Sequence, residues 1–366
     1  NNKRIYMNNL KKIGLTALAG SLVAVGAQAG EMAVTGSLGV TYSTQNGNVQ
    51  SVNSTNALQG ANPDHGTGLG TDKDFQVSGS GELDNGFTFS GYTLLKDTMT
   101  LSSSALTMTM GSMGSLTMGT GYGGNSTKYD VQTPTAYEEV DDGGALSLSA
   151  NYVGSWMDGN SLVYGSPSFD LMAGMSATVH VEYAVEASDA ATVDGGVSSD
   201  TTYDGGKSLG VTLAGNGLTI GVYGAERERT NTGETANFTN DVFAGVYYIN
   251  YAMGPVSVGY QGYYLNNGTA AKLGTAAGAD YSGDAVGIAF NVNDQVSIGY
   301  QKVSEDKEAR AGTVGVTRDI KSLSAAYSTG GMTMSIQQTD TDNYSMLDAG
   351  NELDTETVQV TLSFAF

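Results

Sequence analysis

The feature that most constrains this chain is a two-residue alternation of apolar and polar side chains. In the stretch MAVTGSLGVTY, for example, Met32, Val34 and Leu38 fall on one face and Thr35 on the other. This period is typical of a β-strand with one apolar face. Sixteen segments show the alternation: 32–42, 75–83, 87–96, 105–110, 115–121, 160–169, 171–185, 207–215, 217–225, 241–252, 255–265, 281–292, 294–303, 320–328, 331–339 and 355–366. The sequence therefore predicts an all-β protein of sixteen strands.

The connections between these segments alternate in length. Seven are short and rich in Asn, Asp and Gly, as in Asp84-Asn85-Gly86 and Gly215-Asn216-Gly217, which suits tight hairpins. Eight are long: 44–74, 97–104, 122–159, 186–206, 226–240, 266–280, 304–319 and 340–355. Short turns on one side and long loops on the other predict an antiparallel up-and-down meander that crosses a slab.

Such strands could form a soluble, secreted adhesin or solenoid, or the wall of a barrel in lipid. Three features favour the barrel. The second face is polar at nearly every segment, an even strand number closes an antiparallel sheet without an edge, and many of the 21 tyrosines lie near segment ends. No repeat of fixed length supports a solenoid. The predicted fold is a transmembrane antiparallel up-and-down β-barrel.

The N-terminal region predicts export. Lys11 and Lys12 precede a short apolar stretch that ends at Ala27-Gln28-Ala29, a typical signal-peptide cleavage site. We interpret residues 1–29 as a signal peptide, with residues 1–6 upstream of the start methionine, and residues 30–366 as the barrel domain. Removal of residues 1–29 takes away four basic residues and no acid, so the formal charge changes from −21 to −25.

Composition excludes several functions. The chain has 37 acidic and 16 basic residues, which argues against nucleic-acid binding. It has no cysteine and only two histidines, His65 and His180, with no catalytic motif around either. We therefore expect no enzymatic activity and no cofactor or metal centre.

Three stretches carry a resemblance to a known family. They are the C-terminal strand that ends in Phe366, the segment GSMGSLTMGTG at 111–121 before the longest loop, and SWMDGNSLVYGSPSF at 155–169 after it. Together they resemble the general diffusion porins of Gram-negative outer membranes. The resemblance implies a homotrimer of sixteen-stranded barrels, with Phe366 in the signal that the barrel-assembly machinery reads.

In these porins the long loop after the fifth strand folds inward and narrows the pore. The resemblance places that loop at 122–159 here, where the acids are Asp130, Glu138, Glu139, Asp141 and Asp142. Carboxylates in a narrow aqueous passage concentrate cations and repel anions. We therefore expect a cation-preferring constriction, although the same acids could form no more than a solvated turn.

Charged residues of inward parity are candidates for the lumen wall. They are Lys96, His180, Glu182, Arg227 and Arg318. His180 and Glu182 could make conductance depend on pH or could simply line the wall. Arg227 could instead lie in a loop and pair with neighbouring glutamates. The early strands have no arginine cluster of the kind that the family sets opposite the acids.

The expected function is passive diffusion of small hydrophilic solutes and ions across the outer membrane. The expected partners are membrane lipid and lipopolysaccharide, besides the solutes themselves. A substrate-selective channel and a surface adhesin or structural barrel remain alternatives.

Overall fold

The computed structural model describes residues 20–22, 30–47, 66–140, 154–157, 160–187, 203–229, 241–268, 280–308, 315–344, 346 and 354–366. Within these residues sixteen antiparallel strands form one closed barrel. Their bounds are Met32–Gly47 (β1), Gly66–Glu82 (β2), Thr88–Lys96 (β3), Thr100–Thr109 (β4), Ser115–Thr120 (β5), Ser161–Gly165 with Phe169–Asp170 (β6), Ser176–Ala184 (β7), Tyr203–Gly215 (β8), Leu218–Arg229 (β9), Val242–Met253 (β10), Val256–Asn266 (β11), Tyr281–Asn291 (β12), Val296–Lys307 (β13), Val316–Thr329 (β14), Met332–Asp342 (β15) and Thr355–Ala365 (β16).

Each strand pairs with its neighbours in chain order, and β16 pairs with β1 to close the cylinder. Leu362 lies opposite Val40, and Phe364 lies opposite Leu38. The predicted sixteen-stranded up-and-down barrel is confirmed. A three-residue strand, Gly20–Leu22, also pairs with β1, and it falls inside the predicted signal peptide. The described residues also include four single-turn 3-10 helices, Gly111–Met113, Ser126–Lys128, Ser155–Met157 and Met172–Gly174.

One predicted long connection, 97–104, is wrong. The chain instead turns in three residues between β3 and β4, with Asp97 and Met99 at positive φ. The run of serines at 102–104 hid the alternation, although Ser103 and Ser104 pair with β3 and Ser102 lies at a register shift between them and Leu101. At some of the other long connections a strand runs several residues past the alternating segment; β2, for example, begins at Gly66.

The outer face of the barrel carries the apolar side chains. Ile336, Leu362 and Leu323 are exposed there, and Leu323 keeps 60% of its surface. So many exposed large apolar side chains indicate that the outer face is surrounded by hydrocarbon. Among the described residues no helix is long and apolar enough to span a membrane.

The inner face differs from the prediction on one half of the barrel. We expected polar side chains at nearly every strand, yet β10 turns Val242, Ala244, Val246 and Tyr248 inward, and all four are buried. They pack in a cluster with residues of the long connection between β5 and β6, including Tyr129. The connection covers this part of the wall, so the wall beneath it meets protein instead of water.

Candidate functional site

The segment 121–140, called the inner loop below, leaves β5 and runs along the inside of the barrel. Its root is fixed by Glu182 on β7. One carboxylate oxygen accepts hydrogen bonds from the backbone N–H of Asn125 (3.1 Å) and from Ser208 Oγ (3.3 Å), and the other accepts one from Ser161 Oγ (2.6 Å). Gly124 has positive φ and packs directly on this carboxylate. The loop therefore turns inward at an acid of the wall.

Tyr129 is the apolar anchor of the inner loop. Its ring is fully buried and stacks on Tyr223 of β9, with ring centroids 4.7 Å apart, and its hydroxyl lies 3.3 Å from Thr212 Oγ. Burial raises the pKa of the Tyr129 hydroxyl to about 12. The side chain is therefore neutral at physiological pH and acts as packing.

Amide side chains of the wall hold the middle of the inner loop. Asn250 Nδ2 donates to the Gln132 carbonyl (2.7 Å), and Gln261 Oε1 accepts from the Gln132 N–H (2.6 Å). Gln301 Nε2 donates to the Thr133 carbonyl (2.9 Å). Because Gln261 and Gln301 are buried, these bonds satisfy groups that water does not reach.

The far end of the inner loop reaches β14 and β15. Gln337 Nε2 donates to the carbonyls of Glu138 (3.3 Å) and Glu139 (3.2 Å). The Tyr137 hydroxyl hydrogen-bonds to Thr361 of β16, and burial raises its pKa. The loop therefore follows the inner wall from β7 to the strand that closes the barrel.

The acids predicted for the constriction fall in two groups. Asp130, Glu138 and Glu139 belong to the inner loop and are partly exposed. Glu138 and Glu139 lie next to each other on its far end, held through their backbone carbonyls, and Asp130 accepts a hydrogen bond from the next N–H in the chain (2.9 Å). Asp141 and Asp142 lie outside the described residues.

Two of the predicted lumen-wall residues lie beneath the inner loop. Glu182 keeps 1% of its surface and serves as the loop anchor described above. The ring of His180 meets the edge of Tyr129, with centroids 6.3 Å apart. These contacts place the pair beneath the loop and away from the pore, which we expected it to face. No feature of the sequence indicated that the loop would cover β7.

The predicted arginines are engaged with the wall itself. Arg318 forms a buried ion pair with Glu305, directly opposite on β13, with Nη2 and Oε1 2.6 Å apart. Arg227 lies 3.6 Å from the ring centroid of Tyr203, and its Nη1 donates to the Ala187 carbonyl (3.2 Å). Arg227 lies in β9 and turns inward, whereas Glu226 and Glu228 lie on the outer face, where both approach Lys207 (3.7 and 3.9 Å).

The wall not covered by the inner loop carries hydroxyl, amide and carboxylate groups. It begins next to Thr361, which Tyr137 reaches from the loop, and the Thr41 hydroxyl of β1 lies 2.9 Å from that of Thr361. Lys96 is exposed and lies opposite Asp74, which also turns inward. Lys96 is thus the predicted lumen-wall residue that this face presents openly.

The sequence analysis missed the wall residues that bind the loop, namely Asn250, Gln261, Gln301, Ser324 and Gln337. A signal was present, because all five have inward parity and lie on five of the six strands from β10 to β15. Polar groups at successive inward positions indicate something to bind, but parity does not say whether that is water or a loop.

Comparisons with known proteins identify the fold. No family model matches the sequence, and no curated protein matches it. Among solved structures, OmpF of Salmonella typhi in complex with daunomycin has a TM-score of 0.62 at 12% identity over 92% of this chain and 98% of that one. OmpT, an outer membrane protein of Vibrio cholerae, has a TM-score of 0.61 at 12% identity over 95% and 100%.

A third neighbour is described as an anion-selective porin from Comamonas acidovorans. Its TM-score is 0.59 at 14% identity, over 92% of this chain and 100% of that one. At such identities the likeness concerns the fold alone. The chain folds as a porin-type barrel of sixteen strands, with a loop laid along its inner wall.

Proposed function

We propose that this protein is an outer-membrane channel through which small hydrophilic solutes and ions diffuse passively. One observation carries the proposal: a closed barrel exposes apolar side chains on its outside, while its uncovered inner wall is polar. The hydroxyl of Thr41 and the charges of Lys96 and Asp72 are groups that water solvates. The fold of the porin neighbours supports the same conclusion.

We further propose that the inner loop narrows the channel and that the channel prefers cations. Glu138 and Glu139 are partly exposed on the loop, and Asp141 and Asp142 follow them in the chain. The sequence has no arginine between Arg4 and Arg227, so the first seven strands carry none. The arginines Arg227 and Arg318 are bound to the wall, so the five acids of the loop region outnumber the exposed lysines Lys96 and Lys128.

The test measures the current that the protein carries through a planar bilayer with a potassium chloride gradient across it. The wild-type protein should give ohmic conductance and a reversal potential of cation-selective sign. Replacement of Glu138 and Glu139 by Gln and of Asp141 and Asp142 by Asn should move that potential toward zero. Glu226→Gln/Glu228→Gln is the matched control, because these two acids lie on the outer face beside Lys207.

Each outcome of this experiment has a meaning. Absence of conductance from correctly folded protein would overturn the channel function and favour an adhesin or structural barrel. An unchanged reversal potential in the fourfold variant would remove the acidic constriction. Current blocked by one particular solute would identify a substrate-selective channel.

We propose that the barrel assembles as a homotrimer through the outer face of β3 to β5. Here Thr93 lies opposite Ser104, and Ser104 opposite Thr120, so three hydroxyl residues form a row on the outer face. The strands of this region have only six to ten residues. Because these strands are short and carry polar side chains outward, this face is better suited to contact with another protein than with lipid. Cross-linking in mild detergent should capture three copies, and a monomer under those conditions would contradict the assembly.

We propose membrane lipid and lipopolysaccharide as partners of the outer face. Ion pairs such as Lys302–Asp319 (3.6 Å) and Lys321–Asp342 (3.5 Å) lie toward the long-loop ends of their strands, at the level we propose for lipopolysaccharide headgroups. Phe366 exposes its ring outward, while its backbone exchanges two hydrogen bonds with Gly36 (2.8 and 2.9 Å). This exposed terminal ring suits a signal for the barrel-assembly machinery.

A further inference from the structure

Three inward glycines of adjacent strands lie directly under the middle of the inner loop. They are Gly259 on β11, Gly287 on β12 and Gly299 on β13, called the glycine seat below. Gly259 and Gly287 are direct partners across their strands, and Gly299 lies two residues from the partner of Gly287, which is Gln301. The three positions form a continuous patch of bare backbone on the wall.

The inner loop occupies the space that side chains would otherwise fill. A Cβ atom at Gly287 would lie 2.6 Å from the Pro134 carbonyl oxygen and 2.8 Å from the Thr133 Cβ. A Cβ at Gly259 would first meet the Asn250 side chain of the wall, and it would also lie 2.5 Å from Pro134 Cδ. One at Gly299 would meet the Ala136 nitrogen and lie 3.0 Å from the Thr135 carbonyl carbon. Most of these loop atoms are backbone, which cannot rotate out of the way.

Each glycine of the seat is paired with a polar side chain that binds the same stretch of loop. Asn250 lies opposite Gly259 and binds the Gln132 carbonyl. Gln301 lies opposite Gly287 and binds the Thr133 carbonyl.

Ser324 completes this pattern. It lies opposite Gly299, and its Oγ is 3.2 Å from Thr135 Oγ and 3.3 Å from the Ala136 nitrogen. At three neighbouring points, therefore, an absent side chain lets the loop approach and an adjacent polar group holds it there.

We propose that the glycine seat positions the inner loop and thereby sets the cross-section of the pore. The inference rests on the proposed channel function for its effect on conductance, but not for its effect on the loop. A methyl group at the seat forces residues 133–136 away from the wall and toward the barrel axis. The seat thus determines how far the acids of the loop project into the passage.

The first arm of the test measures the loop position without reference to transport. The chain has no cysteine, so Thr135→Cys/Ser324→Cys introduces one defined pair, whose side chains meet when the loop is seated. We expect efficient disulfide formation in this background, and a severalfold lower yield when Gly259→Ala/Gly287→Ala is added. Gly70→Ala is the matched control, because Gly70 is an inward glycine on β2 and no atom of the described residues lies within 4 Å of its Cβ position.

The second arm measures single-channel conductance of Gly259→Ala/Gly287→Ala without the cysteines. We expect conductance to fall roughly twofold against Gly70→Ala, since the displaced loop takes up part of the open cross-section. Retention of the compact, heat-modifiable form on gels confirms folding. If the double variant does not fold, Gly287→Ala alone is measured in both arms.

The two arms separate this inference from the channel function. A cross-linking yield equal to that of Gly70→Ala overturns the seat, whatever the conductance. A conductance equal to or above that of Gly70→Ala overturns its control of the pore. A wild-type protein that forms no channel refutes the proposed function, while the cross-linking arm still decides whether the seat positions the loop.

Discussion

At the scale of single residues, the arrangement of the inner wall depends on side chains that the inner loop shields from water. Glu182 accepts three hydrogen bonds from the loop root and the neighbouring strands, and Tyr129 stacks on Tyr223 in a water-free cluster. Both residues look like ordinary members of an alternating strand or a polar loop in the sequence. Their roles arise from contacts between positions more than fifty residues apart.

Replacement of Glu182 by Ala should loosen the loop root. The Asn125 N–H and the hydroxyls of Ser161 and Ser208 would lose a charged acceptor, so we expect a loss of about 1–3 kcal/mol in the free energy of unfolding. Denaturant-induced unfolding in detergent micelles measures the change. Glu82→Ala is the control, because Glu82 is exposed on the same inner face, and equal effects of the two substitutions would refute the anchoring role.

Tyr129 should ionise at a higher pH than a tyrosine side chain in water. Its pKa of about 12 lies above the ordinary value near 10, so its ionisation does not affect the free energy of unfolding at neutral pH. Between about pH 10 and 12 only the unfolded side chain would ionise, so the stability of the fold declines over that range. The difference in tyrosinate absorbance between wild type and Tyr129→Phe measures this directly. We expect the difference to appear near pH 12, and a difference that titrates near pH 10 would show that the ring is not buried.

At the scale of elements, neighbouring strands are joined on the inner face by a buried ion pair. Glu305 of β13 and Arg318 of β14 are directly opposite, keep 0% and 5% of their side-chain surface, and are supported by the Tyr263 hydroxyl at 3.5 Å from Glu305. Burial of a matched ion pair contributes little to the free energy of unfolding, but an unmatched charge in the same place lowers it strongly.

Glu305→Gln should therefore destabilise the barrel by about 3–5 kcal/mol, since Arg318 keeps a buried charge without its partner. The paired replacement Glu305→Gln/Arg318→Met should recover most of that loss. Unfolding midpoints in the same detergent provide the comparison. As a control, Lys321→Met breaks an exposed pair with Asp342 and should cost less than about 1 kcal/mol. A Glu305 effect as small as that of Lys321 would contradict the burial.

The elements also show how far sequence reasoning reaches. Alternation located all sixteen strands, because each strand separates two environments and the pattern is local. It failed at 97–104, where a short turn at positive φ follows no local rule, and it gave no warning that the loop would cover β7. The apolar residues on both faces of β10, such as Val242 and Ala244, were the visible sign of an inner protein contact.

At the scale of the whole molecule, the barrel divides into two halves of different inner character. The inner loop and its apolar cluster cover the wall from β7 to Thr361 of β16, whereas the inward side chains of β1 and β2 are mostly polar. Solvated space therefore lies between the loop and the first strands. The cation preference that we propose rests on the acids of the loop and on the lack of arginine on those strands.

The central claim is that the two faces of each strand meet different solvents, and adjacent residues of β16 test it most directly. Gln359 lies on the inner face opposite Ser43, and Val360 lies on the outer face opposite Tyr42. In reconstituted membranes, a small charged thiol reagent added to the water should modify Gln359→Cys and leave Val360→Cys unmodified, while both react after unfolding. Equal labelling of the two cysteines in the membrane, or labelling of Val360→Cys alone, would contradict the account.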